Sequence, residues 1–123
     1  GIDKRWVRKL NEVLGCPDWI FEEQFVHDDV LYTHGTGCSG KGIIKRSQNW
    51  GYSMVQGHIH TESFVNFTAS LTDLRWQLQC PCGIDYKSFA YGYAKFHTAK
   101  PILGVAVVLD SGKLPIIEPM NLT

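Results

Sequence analysis

Residues 30–60 read VLYTHGTGCSGKGIIKRSQNWGYSMVQGHIH, and the predicted architecture follows mainly from this segment. It opens with a mostly apolar, β-prone run over 30–33, which predicts a buried strand. A glycine-broken loop follows, and residues 41–50 then place apolar side chains at helical spacing, with Gly51 positioned to end the helix. Residues 52–56 predict a second strand. Strand, helix and strand in this order indicate a βαβ unit, whose strands run parallel with a right-handed crossover.

The C-terminal part of the chain changes to alternation of apolar and polar residues, which is typical of half-buried strands. Residues 65–71 and 75–80 show this pattern, and the turn residues 72–73 between them predict an antiparallel hairpin. A second hairpin is predicted from residues 102–109 and 114–117, which are joined across an Asp-Ser-Gly turn. The βαβ unit is therefore expected to be followed by antiparallel hairpins.

Two further helices are predicted outside these strands. Residues 6–14 carry apolar side chains at helical spacing, with Asp3 placed to cap the helix and Gly15 to end it. Residues 86–93 also show a helical pattern, although a glycine interrupts it. No repeat or linker divides the sequence. We therefore expect a single domain over residues 1–123, of mixed α/β (α+β) class.

The composition is that of an ordinary globular protein, because 44% of the 123 residues are apolar and 20% are charged. Twelve basic residues balance twelve acidic ones, so non-specific binding to nucleic acid is not expected. The longest apolar run, residues 102–109, is too short to span a membrane and no signal pattern is seen, so we expect a cytoplasmic protein without membrane contact. Four cysteines occur without a secretory context and are expected to be reduced thiols: Cys16, Cys38, Cys80 and Cys82.

Three histidines follow the carboxyl ends of the two predicted parallel strands. His34 follows the first strand, while His58 and His60 follow the second in the run Gly-His-Ile-His. A single histidine of this kind is more often a surface residue than a ligand. However, parallel strands end at one edge of a sheet, and residues two apart in extended backbone face the same side, so we expect the three imidazoles to converge. Neutral imidazole is the commonest metal ligand, so the pattern predicts a metal site.

These motifs resemble those of a known enzyme family. Residues 30–35, VLYTHG, followed after one helix by residues 55–61, VQGHIHT, resemble the last two metal motifs of the calcineurin-like metallophosphoesterases. Three later runs, CGIDY at 82–86, FAY at 89–91 and PIIEPM at 115–120, resemble the ends of phage and bacterial members of that family. The likeness spans most of the chain.

The resemblance implies that the chain is the C-terminal half of a four-layer α-β-β-α metallophosphoesterase sandwich. It further implies a hydrolase that cleaves phosphoesters with two divalent metal ions, in the host cytoplasm if the protein is phage-encoded. His34 and His58 would bind one metal ion and His60 the other. Manganese is the first expectation, and zinc, iron or nickel also suit such ligands. Gly35 and Thr36 would lie in a loop near the phosphoester substrate.

The chain departs from the family pattern at its N-terminal end. The motifs Asp-x-His, Gly-Asp-x-x-Asp and Gly-Asn-His-Asp/Glu are absent from residues 1–30. Those motifs supply the bridging carboxylate and the remaining ligands, so no catalytic residue is identifiable in this chain. We therefore expect the isolated chain to bind at most one metal ion weakly and not to turn over. Half of a sandwich also exposes apolar sheet surface, so either a complementary N-terminal polypeptide or a homodimer is expected.

Three other functions compete with this interpretation. Residues 35–42, GTGCSGKG, nearly match a phosphate-binding loop for nucleotides, but Gly42 replaces the magnesium-binding Ser or Thr and the rest of the sheet is predicted to be antiparallel. A structural zinc module could use Cys80 and Cys82 with Cys38 or a histidine, although one intervening residue is poor zinc spacing. The third alternative is a non-catalytic module that binds other proteins.

Overall fold

The computed structural model describes residues 7–85 and 98–121, and it has a mixed α+β architecture. The secondary-structure elements of these residues, in chain order, are α1 (Leu10–Val13), β1 (Gln24–His27), β2 (Val30–Thr33), α2 (Gly42–Trp50), β3 (Ser53–Gln56), β4 (Phe64–Ala69), β5 (Leu74–Gln79), β6 (Gly104–Leu109) and β7 (Leu114–Pro119). The predicted helix over residues 86–93 lies outside the described residues.

The predicted βαβ unit is confirmed. Strands β2 and β3 pair in parallel, with their last residues Thr33 and Gln56 opposite each other. Helix α2 connects them and ends at Gly51, whose φ of +77° and N–H bond to the carbonyl of Ser47 close the last turn. Glycine suits this position because residues with a Cβ rarely adopt positive φ. The two strand ends therefore meet at one edge of the sheet, as the sequence predicts.

The main sheet has five strands in the order β1-β2-β3-β5-β4. Strands β4 and β5 form the predicted antiparallel hairpin, but β5 also pairs in parallel with β3. The expectation that the sheet beyond the βαβ unit is antiparallel is therefore wrong, because three neighbouring strands run parallel. Strand β1 was not predicted; it joins β2 through the two-residue turn of Asp28 and Asp29, whose φ values of +50° and +57° suit a tight hairpin.

Each face of the main sheet is covered by a different element. Helix α2 packs on one face, where Ile43 meets Leu31 and Met54 in a buried cluster. The antiparallel pair β6–β7, here called the ribbon, covers the other face. The buried residues there are Val30, Trp76 and Leu78, and the ribbon contributes Ala106, Val108 and Ile117. Each fully buried aliphatic side chain stabilises the fold by about 1.5–3 kcal/mol.

The described residues thus form three layers: helix, five-stranded sheet and ribbon. This agrees with the predicted mixed class and confirms both C-terminal hairpins. The fourth, helical layer of the expected α-β-β-α sandwich is not among residues 7–85 and 98–121. The outward side of the ribbon is apolar and exposed, at Val105, Val107, Leu109, Leu114 and Ile116.

Strand β5 is buried on both faces, so the prediction that it is half-buried is wrong. Gln77 and Gln79 alternate with apolar residues, which predicts that they face solvent, yet both are fully buried beneath α2. Gln77 and Gln79 occupy the face of β5 that α2 covers, so their side chains lie under the helix instead of in solvent. Their amides are satisfied by other buried groups, including Ser47 and Gln56.

The predicted N-terminal helix is wrong in extent. Of residues 7–14, which the structure describes, only Leu10–Val13 is helical, and Asp3 and Trp6 lie outside the described residues. The side chains of Val7 and Val13 are 63% and 62% exposed, so no buried face forms. One helical turn without tertiary packing gains little, since most helix stability in proteins comes from packing an apolar face.

Candidate metal centre

The candidate site lies where the parallel strands end. His34 comes directly after β2, and His58 comes two residues after the end of β3. The N–H of Gly57 donates to the carbonyl of Thr33 over 3.3 Å, which extends the parallel pairing by one residue beyond the strands. The two histidine backbones are therefore brought to the same edge by the sheet itself.

The rings of His34 and His58 meet at this edge. His34 Nε2 and His58 Nδ1 are 3.2 Å apart, and the ring centroids are 5.0 Å apart with the planes at 72°. Metal–nitrogen bonds of about 2.0–2.1 Å, at octahedral to tetrahedral angles, place two ligand nitrogens roughly 2.8–3.4 Å apart. The observed separation suits two ligands of one ion, and it equally suits a hydrogen bond from one neutral ring to the other. Both side chains are exposed, so an ion can reach them.

The backbone turns sharply at His58. Its φ is +69°, and the N–H of Ile59 donates to the carbonyl of Gly57 over 2.8 Å, which closes a three-residue γ-turn. A positive φ at a residue with a side chain costs of order 1–3 kcal/mol, and such strain concentrates at functional sites. The turn also corrects the expectation that extended backbone would carry His58 and His60 on one side.

His60 is not brought into the pair. Its carbonyl accepts the N–H of Ile102 over 2.8 Å, and the residue is half-buried. Within residues 7–85 and 98–121, no group of three or more histidine, cysteine, aspartate or glutamate side chains is arranged to hold a metal ion. The structure therefore brings together two of the three predicted ligands.

Two buried glutamines support the turn and the loop, and sequence reasoning missed both. Gln79, at the end of β5, uses its side-chain Nε2 to contact the carbonyls of Gly57 at 2.9 Å and Ile59 at 3.2 Å. Gln56, at the end of β3, donates to Gln79 Oε1 over 3.1 Å and to the carbonyl of Ser39 over 3.3 Å. Each such bond is worth about 0.5–1.5 kcal/mol, comparable with the strain at His58. The only sequence signal was a polar residue at the very end of each strand.

Of the two glycines beside the candidate histidines, Gly35 and Gly57, only Gly35 occupies a position that needs glycine. Gly35 is buried with a φ of +86°, and a Cβ there would lie 2.6 Å from Cδ of Gln56. The loop thus packs its backbone directly on the glutamine side chain, and among the two loop residues proposed for substrate contact only Thr36 is exposed. A Cβ on Gly57 would meet His34 at 3.6 Å, an ordinary van der Waals distance.

The loop between β2 and α2 is poorly arranged to hold a phosphate. The N–H of Gly42 is already bonded to the carbonyl and hydroxyl of Ser39, and those of Ile43 and Ile44 to carbonyls one turn back. The carboxylate of Glu62 lies against Gly40, where an anion would be repelled. The predicted antiparallel sheet was one argument against nucleotide binding, and the parallel strands remove it. The occupied N–H groups and the Glu62 carboxylate are new arguments against phosphate binding at this loop.

Arg46 is a third residue that the sequence did not single out, after the two glutamines. Its guanidinium donates to Cys38 Sγ over 2.9 Å, reaches Gln56 Oε1 at 3.4 Å and lies 5.1 Å from the ring centre of Trp50. These contacts tie the loop to helix α2. All four cysteines are free thiols.

The chemistry of Cys80 does not favour a structural zinc module. Burial raises the pKa of its thiol, whereas zinc binds the thiolate. Its side chain packs in the apolar cluster beneath the ribbon, as a small hydrophobic residue would. The thiol of Cys82 contacts the carbonyl of Ile102 at 3.5 Å.

Comparisons of this chain with family models, with curated proteins and with solved structures find no match. No helix among the described residues combines the length and the apolar character needed to cross a membrane.

Proposed function

We propose that this chain supplies His34 and His58 as two ligands of a divalent metal ion in a metal-dependent phosphoesterase. The observation that carries the proposal is the 3.2 Å separation between His34 Nε2 and His58 Nδ1 at the exposed edge of the parallel sheet. Ligands commonly collect at this edge in open α/β sheets. The resemblance of the two histidine motifs to the metallophosphoesterases supplies the reaction class.

The residues present fit part of such a site. Two neutral imidazoles provide two of the four to six ligands that manganese, zinc, iron or nickel usually takes, and they leave the charge of the ion uncompensated. Further ligands, including carboxylates, must therefore come from elsewhere, and His60 remains the proposed contribution to a second ion. In such enzymes the metal ions polarise the phosphoryl oxygens and activate water.

What the chain itself does is to orient the ligands. The sheet fixes the two histidine backbones, and the γ-turn at His58 directs its ring toward His34. Because the donor set is incomplete, we propose that the isolated chain binds one ion weakly and hydrolyses no phosphoester. Turnover would require a complementary polypeptide that carries acidic ligands, or a second copy of the chain.

The ribbon supports the need for a partner. Its outward side chains, such as Val107 and Leu109, are 45% and 47% exposed, and they form a continuous apolar stripe with Leu114 and Ile116 through the strand pairing. Exposed apolar stripes of this kind usually become covered by another protein surface. Sedimentation velocity over a concentration series would detect a homodimer directly.

Metal binding can be tested by titrating the chain with Zn²⁺ and Mn²⁺ in a calorimeter. We expect one weak site that is lost in His34→Ala and in His58→Ala. His27→Ala is the matched control, because His27 is an exposed histidine on β1, whose ring lies near Asp28 rather than near the site. Binding that survives both site variants would contradict the proposal. Hydrolysis of bis-para-nitrophenyl phosphate by the chain alone, abolished by His58→Ala, would contradict the need for a partner.

A further inference from the structure

We propose that Gln79 is a positioning residue that holds the γ-turn at His58 and thereby keeps the His58 ring against His34. The inference rests on the proposed function for its chemical purpose, since the ring pair is the proposed metal-binding unit. It assigns a role to a residue on β5 that is 21 positions away in the sequence from His58, which follows β3.

Gln79 contacts the backbone of the residues immediately before and after His58. Its Nε2 lies 2.9 Å from the carbonyl oxygen of Gly57, the residue before His58, and 3.2 Å from that of Ile59, the residue after it. The carbonyl of Gly57 also accepts the N–H of Ile59, so the bond that closes the turn and the bond from Gln79 meet on one oxygen. A carbonyl oxygen has two lone pairs and can accept both. Gln79 therefore holds the backbone on both sides of His58, whose φ is +69°.

The same amide links the turn to the loop that follows His34. Gln79 Oε1 accepts from Gln56 Nε2 at 3.1 Å, and Gln56 Nε2 also reaches the carbonyl of Ser39 at 3.3 Å. Gly35, next to His34, packs on the Gln56 side chain. A continuous path of buried amides thus joins the two segments that carry the histidines, and the relative position of the two rings depends on it.

Burial makes this arrangement specific to glutamine. Gln79 is fully buried, so each polar atom needs a partner within the protein. An apolar side chain of the same length would fill the space but would give no donor to the Gly57 and Ile59 carbonyls. The two rings are exposed, so the buried support of the turn comes from beneath them.

Gln77 provides a matched control on the same strand. It is also fully buried on the face beneath α2, two residues before Gln79. Its amide contacts Ser47 at 3.0 Å, Thr68 at 2.9 Å and Asn66 at 2.7 Å, and none of these belongs to the turn or the loop. Gln77→Met and Gln79→Met therefore remove the same chemical group from similar surroundings, but only the second removes support from His58.

The experiment compares the two variants in the full chain. Both are expected to be destabilised in urea, while only Gln79→Met should lose the nuclear Overhauser effect between the His34 and His58 rings in metal-free protein. In the Zn²⁺ titration we expect Gln79→Met to bind about 10-fold or more weakly than the wild type, the usual scale for a lost outer contact to a metal ligand. Gln77→Met should keep the wild-type affinity. Equal losses in the two variants, or none in Gln79→Met, would overturn the proposal.

The two readouts separate this inference from the metal proposal. If the wild type binds no Zn²⁺ but the ring contact is lost only in Gln79→Met, the metal function fails and the positioning role stands. If Zn²⁺ binds through both histidines and Gln79→Met keeps the ring contact and the affinity, the positioning role fails alone. Should Gln79→Met not fold, the wild type still decides: the side-chain amide protons of Gln79 must exchange slowly with solvent, and rapid exchange refutes the positioning role.

Discussion

Replacing Gly35 with alanine should destabilise the chain far more than replacing Gly57 with alanine, although each glycine neighbours a candidate histidine. Gly35 has a φ of +86° and packs its Cα on Gln56, whereas a Cβ on Gly57 would find an ordinary contact distance of 3.6 Å. The comparison therefore tests whether the loop after His34 is seated on the buried glutamine as the structure shows.

The expected magnitude has two parts. Holding alanine at positive φ costs about 1–2 kcal/mol. The new methyl group must also displace the Gln56 side chain, whose amide contacts Ser39, Gln79 and Arg46. Losing two of those bonds at about 0.5–1.5 kcal/mol each adds a further 1–3 kcal/mol. We expect Gly35→Ala to lower the free energy of unfolding by roughly 2–5 kcal/mol, and Gly57→Ala by less than about 1 kcal/mol, as for sites without a special backbone demand.

Urea denaturation followed by tryptophan fluorescence gives the assay, with the wild type and both variants at the same protein concentration. The midpoint should fall strongly for Gly35→Ala, with an unchanged slope, which would show that the change is one of stability. A loss below about 1 kcal/mol for Gly35→Ala, or equal losses for the two variants, would refute the close packing of the loop on Gln56.

Two other predictions concern the two faces of the main sheet. Burial raises the pKa of the Cys80 thiol in the folded state above its ordinary 9.0. As the pH rises past 9.0, the unfolded state loses this proton first, so the unfolded state binds fewer protons than the folded state and the stability of the fold decreases. The decrease in the urea midpoint from neutral to alkaline pH should therefore be smaller in Cys80→Val than in the wild type. Equal decreases would contradict the raised pKa of Cys80. On the helix face, Ile43→Ala should cost about 2–5 kcal/mol because Ile43 is fully buried, and a smaller loss than in Ile44→Ala would show that α2 packs differently.

The part of the fold that follows from local sequence was predictable. The strand, glycine and helix signals of residues 30–56 predicted the parallel βαβ unit. Alternation predicted the β4–β5 hairpin, and the Asp-Ser-Gly turn between two apolar runs predicted the β6–β7 hairpin. The insertion of β5 between β3 and β4 was not predictable, because pairing between distant strands leaves no periodic signal. The N-terminal helix prediction failed for the opposite reason: the periodicity was present, but within residues 7–85 and 98–121 no element covers its apolar side.

The candidate site was predictable to the same extent. Parallel strand ends bring His34 and His58 together, which the order of elements alone implied. The positive φ of His58 could not be predicted, because a non-glycine residue adopts it only when surrounding contacts hold it there. For the same reason Gln79 was missed: its importance comes from the backbone it contacts, and alternation alone assigned it to solvent.

The buried amides of β5 also fix the register in which β5 pairs with its neighbouring strands. If β5 slipped by one residue against β3, every side chain would change face, so Gln77 and Gln79 would enter the apolar cluster beneath the ribbon and Trp76 would be forced under α2. Each amide would then be buried without partners, at a cost of about 1–3 kcal/mol apiece. A wholly apolar strand would tolerate several alignments at similar energy. The glutamines make the misaligned sheets costly, so the chain selects one pairing while it folds.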